Sequence, residues 1–172
     1  MNAPINSELI GFGGGCHWCT EAVFNSLNGI FSVEQGFIQS EPPDHFASEA
    51  VRISYDPTII PLGVLIEIHL KTHSSTSNHT LRTKYRSAVY TLTEQQRRYA
   101  INKIEELEPE YDKPIVTRVL PLVSFIDSPE RYKNYYQNHV NGEFCQRFID
   151  PKLALLKRQF KDQVTTISVN SQ

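Results

Sequence analysis

The sequence predicts a single domain of mixed α and β structure over residues 1–172, and three observations carry that expectation. The length suffices to bury a core without disulfide staples. Short strand-like runs are interleaved with helix-like runs, and few connections between them are long. No repeat, low-complexity tract or shift in composition divides the chain. Composition is ordinary at 40% hydrophobic and 21% charged, and a net charge of −2 argues against nucleic-acid and anionic-membrane partners. No apolar run approaches the roughly 18 residues of a spanning helix. Residues 1–7 lack the basic start and apolar core of a signal peptide. A cytoplasmic, monomeric protein is expected.

The elements follow in order. Residues 9–12 read as a buried strand. A helix continues over 21–27, with Ala22, Val23 and Leu27 on one side and Gly29 ending it. Residues 30–37 form a second strand, and 39–45, polar and carrying Pro42-Pro43, form a loop. Alternation over 50–55 gives a strand that Asp56-Pro57 stops. Pro61 suits the first turn of a helix over 61–72, whose apolar positions include Leu62, Leu65, Ile66, Ile68 and Leu70. Residues 73–80 are a Ser/Thr/Asn-rich loop. A strand over 85–92 precedes Thr93, which caps a charged helix reaching about Leu107. Residues 115–123 read as one more strand, weakened by Pro121. Ser128-Pro129-Glu130 opens a short aromatic helix to about His139. A loop over 141–150 holds Cys145, and a last helix covers 151–160.

Chemistry concentrates in Gly13-Gly14-Gly15-Cys16-His17-Trp18-Cys19-Thr20-Glu21. A glycine turn that delivers a cysteine to a helix N-terminus sets its sulfur among backbone N–H groups and the positive end of the helix dipole. That environment favours thiolate over thiol. Three cysteines are an odd count, which excludes a fully paired disulfide framework. Three readings remain for Cys16 and Cys19. A buried structural pair is the plainest, but the glycine run exposes the backbone around Cys16. A zinc site using Cys16, Cys19, Cys145 and a histidine is permissible, yet a second cysteine pair is missing and no histidine lies at ligand spacing from Cys145. Thiol chemistry fits best.

The same nine residues resemble the signature of the A-type methionine sulfoxide reductases, Gly-Cys-Phe-Trp followed by a nearby Glu. The resemblance runs on collinearly. Glu49-Ala50-Val51-Arg52-Ile53-Ser54-Tyr55-Asp56-Pro57 is similar to the family's glutamate-bearing strand, and Lys84-Tyr85-Arg86-Ser87 to its Gln-Tyr-Arg-Ser strand start. Pro129-Glu130-Arg131-Tyr132 with Tyr136 echoes an aromatic helix of the family. Gly142-Glu143-Phe144-Cys145 with Pro151-Lys152-Leu153 resembles its C-terminal recycling loop.

This resemblance implies an α+β fold, a two-layer α/β roll with a mixed sheet, a ferredoxin-like core and a long irregular C-terminal segment. It implies reduction of methionine (S)-sulfoxide, peptidyl or free, without a metal or other cofactor. Cys16 is the implied nucleophile. Glu49 is the implied acid, held protonated in a poorly solvated pocket, a role that burial of a carboxyl makes physically reasonable. Tyr85 points a hydroxyl at the same oxygen. Trp18 and the residue at 17 wall a pocket for the sulfoxide methyl. Cys16 then carries sulfenic acid, and Cys145 and Cys19 both take part in closing disulfides, in either order. A thioredoxin-like dithiol is the implied reductant.

Three departures bear on substrate. His17 stands where the family carries phenylalanine. Its imidazole either compromises a dry methyl pocket and influences Cys16, or stacks flat, neutral and pointing outward. The loop between Gly36 and Glu49 is short and holds no tyrosine, so a second oxygen-binding hydroxyl is expected to be missing. Thr80 occupies the place of a substrate-binding aspartate. A more open site, with altered or lowered activity on ordinary peptidyl methionine sulfoxide, is the expectation. The rival readings are a reductase for a different sulfoxide, a peroxide-reactive or redox-sensing thiol protein, and a zinc- or ligand-binding domain.

Overall fold

The computed structural model describes residues 6–77 and 85–165. Within them the chain runs β1 (Glu8–Gly13), α1 (His17–Asn25), β2 (Ile30–Gln39), β3 (Ser48–Tyr55), α2 (Leu62–Thr72) and β4 (Ala88–Thr91). It continues through α3 (Glu94–Leu107), β5 (Arg118–Pro121), β6 (Ser124–Asp127), α4 (Tyr135–Asn138) and α5 (Asp150–Gln159). The strands pair in the order β5-β4-β1-β3-β2-β6. All neighbours are antiparallel except β4 and β5, so the sheet is mixed, as the α+β expectation requires.

Side-chain alternation builds the two layers. In β1, Ile10 and Phe12 face the helices, while Gly11 and Gly13 face the opposite side of the sheet. Ile10, Phe12, Val51, Ile53 and Val89 form a fully buried outer layer beneath Phe24 of α1, Leu65 and Ile68 of α2, Ala100 of α3 and Leu156 of α5. Phe12 stacks on Phe24 with ring centroids 4.9 Å apart, which fixes α1 directly over the end of β1. Thr93 caps α3 as its sequence indicates, accepting from Gln96 N at 3.1 Å.

The strand expected over 115–123 is shorter, β5 (Arg118–Pro121), and a second strand, β6 (Ser124–Asp127), follows at once on the opposite edge of the sheet. Proline has no N–H to continue a ladder, and β5 ends at Pro121. Leu122 N then bonds Thr91 O at 2.9 Å, and Val123 N bonds Gln39 O at 3.0 Å. These two residues carry the chain from the β4 side to the β2 side, so the sheet curls until its edges approach each other. The inside of the curl is tight. A Cβ at Gly11 would lie 2.8 Å from Ile38 Cδ1. Ile38, Ala50, Ala88 and Tyr90 fill it, with Leu120, Leu122 and Phe125 packed against them.

Arg86 closes one end of the curl. Its guanidinium donates to Tyr90 Oη, Ile38 O and Phe46 O at 2.9, 3.0 and 3.1 Å. Its N–H bonds Ser48 Oγ at 2.8 Å, which diverts the backbone and shortens the expected 85–92 strand to Ala88–Thr91. Other elements differ in extent. Helix α1 starts at His17 with Cys16 as its N-cap, as the glycine turn implies, and ends at Asn25 rather than 27. The aromatic helix is a 3₁₀ turn, Glu130–Tyr132, followed by α4, with Asn134 between them at φ 55°. The loop expected around Cys145 is a helical turn, Cys145–Ile149, that runs straight into α5. Among the described residues no helix is long and apolar enough to cross a membrane.

Candidate active site

The glycine run does two jobs before any side chain acts. Gly14 sits at φ +141°, a backbone conformation that L side chains rarely adopt, and a Cβ there would meet the His73 ring at 2.6–2.7 Å. The turn swings the chain from β1 into α1 and leaves Cys16 as the helix N-cap, with φ −60° and ψ 131°. Cys16 O accepts the first helical bonds, from Cys19 N at 3.1 Å and Thr20 N at 3.3 Å. The Cys16 thiol is pulled below its ordinary value chiefly by hydrogen bonding from the Cys19 thiol. Burial opposes this, the N–H groups of Trp18 and Cys19 add to it, and the charge of Glu49 opposes it. Donation to Cys16, together with burial, pushes the Cys19 thiol up.

Strand pairing brings Glu49 to this helix end. β1 and β3 are antiparallel neighbours with Gly13 opposite Ala50, so the start of β3 lies beside the turn where α1 begins. Glu49 shares the outer face with Val51 and Ile53 and is buried. Its Oε1 accepts from His17 N at 3.4 Å and lies 3.3 Å from His17 Nε2. The other ring nitrogen, Nδ1, lies 3.3 Å from Gly36 O of β2. His17 is therefore buried at 7% exposure and turned inward, which removes the outward-pointing alternative. Phe37 meets the ring edge-on at 5.6 Å.

Cys16, His17, Trp18, Phe37, Glu49, Tyr85, Pro129 and Tyr132 line one cavity of about 330 Å³. Trp18 is held by stacking on Tyr135 at 4.1 Å and 11°, and Phe144 meets it edge-on at 5.7 Å. Glu21, one turn further along α1, accepts from the backbone N–H groups of Asn134 and Tyr135 and from Gln35 Nε2. It ties the start of α4, and so Tyr135, to the helix that Cys16 caps.

A second cavity of about 320 Å³ lies on the other side of Cys16. Its lining includes Cys19, Thr72, His73, Phe144 and Lys152, and Cys16 and Tyr85 border both cavities. Cys19, Cys145, Ala22 and Ile149 form one buried cluster against which Cys16 packs. All three cysteines are free thiols. Cys145 has 0% exposure, and burial raises its thiol first, with Asp150 adding to the effect. Lys152 donates to Thr72 O, and burial depresses its ammonium while the neighbouring cysteines oppose that change.

The structure thus gathers five of the expected residues, Cys16, His17, Trp18, Glu49 and Tyr85, at one cavity, and sets Cys19 and Cys145 in the cluster behind Cys16. Thr80 lies outside the described residues. The 40–47 segment turns toward the inner face of the sheet, where Asp44 pairs with Arg118 at 2.7 Å. It contributes no phenol to the cavity, as its sequence implies. Tyr132 does line the cavity, from the turn after β6. Its position in the aromatic motif was the available signal. Among the described residues no group of three or more His, Cys, Asp or Glu side chains is placed to hold a metal ion, so the zinc reading finds no ligand cluster.

A helix-capping cysteine with a lowered thiol, a buried carboxyl and two further thiols on a curled α+β sheet make up the kind of site that thiol oxidoreductases carry. Comparison with known proteins narrows the class. The sequence profile of peptide methionine sulfoxide reductase matches residues 8–164, and the chain belongs to that family. The peptide methionine sulfoxide reductase MsrA of Deinococcus radiodurans is 36% identical over 169 residues, covering 89% of this chain and 82% of that protein. The MsrA of Sulfolobus acidocaldarius is 30% identical over 172 residues, covering 92% and 98%. In fold, the reduced form of Mxr1 from Saccharomyces cerevisiae superposes with a TM-score of 0.73 at 23% identity, covering 83% of this chain and 91% of that one.

Proposed function

We propose that this chain reduces methionine (S)-sulfoxide, peptidyl or free, to methionine through thiol chemistry at Cys16. The observation that carries the reading is the shared cavity: an ionisable helix-capping cysteine, a buried glutamate, a tyrosine and an indole border one space. The Cys16 thiolate attacks the sulfoxide sulfur. As the S–O bond breaks, Glu49 gives a proton to the oxygen and Tyr85 donates a hydrogen bond to the charge developing there. The S–S bond made in the attack then breaks as the protonated oxygen passes to the Cys16 sulfur, which leaves Cys16 as sulfenic acid and releases methionine. The sulfoxide gains two electrons and Cys16 loses two. Trp18 supplies a rigid apolar face for the methyl group.

Recycling follows from the thiols behind Cys16. Cys19 already donates to the Cys16 sulfur, so it attacks the sulfenic acid first, releasing water and closing a Cys16–Cys19 disulfide. Cys145, packed against Cys19, then takes over by thiol–disulfide exchange. An external dithiol completes the cycle. A structure of yeast Mxr1 in complex with Trx2, with a TM-score of 0.63 to this chain at 22% identity, supports a thioredoxin-like protein in that role. The protein acts as a single-domain monomer in the cytoplasm.

The test is turnover of racemic dabsyl-methionine sulfoxide with dithiothreitol. Only the S epimer is consumed, Cys16→Ser abolishes consumption, and Glu49→Gln slows it by about 10²–10⁴-fold. Consumption of both epimers, or full activity in Cys16→Ser, would overturn the reading.

A further inference from the structure

The reaction asks for two protonation states that oppose each other. Cys16 must be ionised while an acid beside it keeps its proton. A negative Glu49 raises the Cys16 thiol, so an ordinary carboxylate at this position would suppress the nucleophile it is meant to serve. His17, the residue that departs from the family pattern, lies between the two demands.

The hydrogen-bond geometry fixes how the imidazole is used. A carbonyl oxygen only accepts, so the 3.3 Å contact to Gly36 O puts a proton on Nδ1. Nε2 then faces Glu49 Oε1 at 3.3 Å in a setting where both side chains are more than nine-tenths buried. Two bare acceptors in that contact would repel each other. One proton therefore belongs between them, as a carboxylic acid bonded to neutral imidazole or as a carboxylate paired with imidazolium. Both forms carry no net charge.

We propose that His17 and Glu49 share one proton and act as a single neutral acid facing the sulfoxide oxygen, with His17 the positioning residue that keeps the proton on the couple while Cys16 is a thiolate. This rests on the sulfoxide reductase reading. In the reaction the couple's proton leaves from Glu49 to the sulfoxide oxygen as Cys16 takes that oxygen and becomes sulfenic acid. The couple is left with one negative charge and regains its proton from water.

Cys16 precedes the ring on its own element. β2 presents Phe37 and the Gly36 carbonyl, β3 presents Glu49, the segment before β4 presents Tyr85, and the turn after β6 presents Tyr132. Among the described residues no lysine or arginine lines this cavity.

Two measurements on the reduced full-length protein test the couple. Nitrogen-15 NMR of the imidazole between pH 5 and 9 is expected to show Nδ1 protonated throughout, with titration confined to Nε2. In Glu49→Gln the His17 titration is expected to fall by at least about one pH unit. Single-turnover rates with methionine sulfoxide, which precede any recycling, are expected to fall off at high pH as the couple loses its proton. In both His17→Phe and His17→Gln that falling limb is expected at least about one pH unit lower. Proton loss from Nδ1, a His17 titration indifferent to Glu49→Gln, or an unmoved falling limb in both His17 variants overturns the proposal. Absent turnover in the unmutated protein overturns the reductase reading instead, and the NMR result then decides the pairing by itself.

Discussion

The Cys16 thiol is drawn below its ordinary value because its neighbours donate to it, and the largest of those donations comes from another cysteine. The Cys19 thiol outweighs the helix N–H groups, while burial and the Glu49 charge work against ionisation. Replacing Cys19 with alanine removes that donor, so the Cys16 thiol moves up toward the ordinary 9.0. The pH midpoint for alkylation of Cys16 by iodoacetamide is then expected to rise. At pH 7 the reaction should slow by about tenfold for every pH unit that the midpoint climbs. Cys19→Ser keeps an O–H donor and should recover most of the rate. The linkage has the same sign. A depressed folded value means that ionised Cys16 stabilises the fold above the unfolded thiol's value, and that contribution is lost as pH falls through the folded value. At this scale the sequence was informative wherever residue type carries chemistry, as at Cys16, Trp18, Glu49 and Tyr85. It raised His17 but could not choose between its inward and outward settings, because the partner of Nδ1 is the Gly36 carbonyl, and a backbone oxygen leaves no mark in residue identity. It named Cys19 and Cys145 as acting together, but not their packing, which depends on α5 docking beside α1.

Among the elements, the least legible step was the one that shapes the sheet. Residues 115–123 have the composition of one strand, and Pro121 reads there as a weakness rather than as the point where the chain changes edges. Local pattern cannot show this, because β5 and β6 are separated by the whole width of the sheet and meet only through its curl. The strand at 85–92 is shortened for a related reason. Arg86 is spent on carbonyls of two other segments instead of on β4's ladder, and a lone arginine in a strand-like run ordinarily reads as an exposed side chain. By contrast α2 and α3 lie within a residue of their expected bounds, since helical period and the Thr93 cap are local. The curl supplies its own test. Arg86→Ala leaves the Ile38 and Phe46 carbonyls and the Tyr90 hydroxyl without their guanidinium at a buried position. The expected cost is about 2–4 kcal/mol, seen as a drop of roughly 5–12 °C in the thermal unfolding midpoint by circular dichroism. Arg86→Lys should restore only part of it, because one ammonium cannot reach three acceptors in the guanidinium's fork geometry.

For the molecule as a whole, the burial of Cys145 sets a condition on the catalytic cycle. A second protein can reduce a disulfide only by attacking an accessible sulfur, and Cys145 has 0% exposure beneath Phe144, Tyr135 and α5. On the proposed cycle, recycling through Cys145 requires an opening of the segment that covers it. The structure indicates which part gives way. The sheet and its outer layer are bound by long antiparallel ladders and a continuous core. Residues 128–149 are held instead by short turns, by the Glu21 anchor and by the Trp18–Tyr135–Phe144 aromatic contacts. Short elements resting on few buried contacts open at low free energy. Oxidising the protein with one equivalent of methionine sulfoxide, in the absence of reductant, is expected to raise hydrogen exchange across 133–149 while β1 and β3 keep their protection. Trp18 is the chain's one tryptophan, so loss of its stacking on Tyr135 should also change the intrinsic fluorescence on oxidation. Cys145→Ser provides the control. It should still release one methionine per chain, yet show neither the exchange increase nor the fluorescence change, because its Cys16–Cys19 disulfide strains nothing outside α1. An exchange pattern that is identical in the reduced and oxidised protein would exclude the opening, and with it Cys145 as the sulfur that meets the reductant.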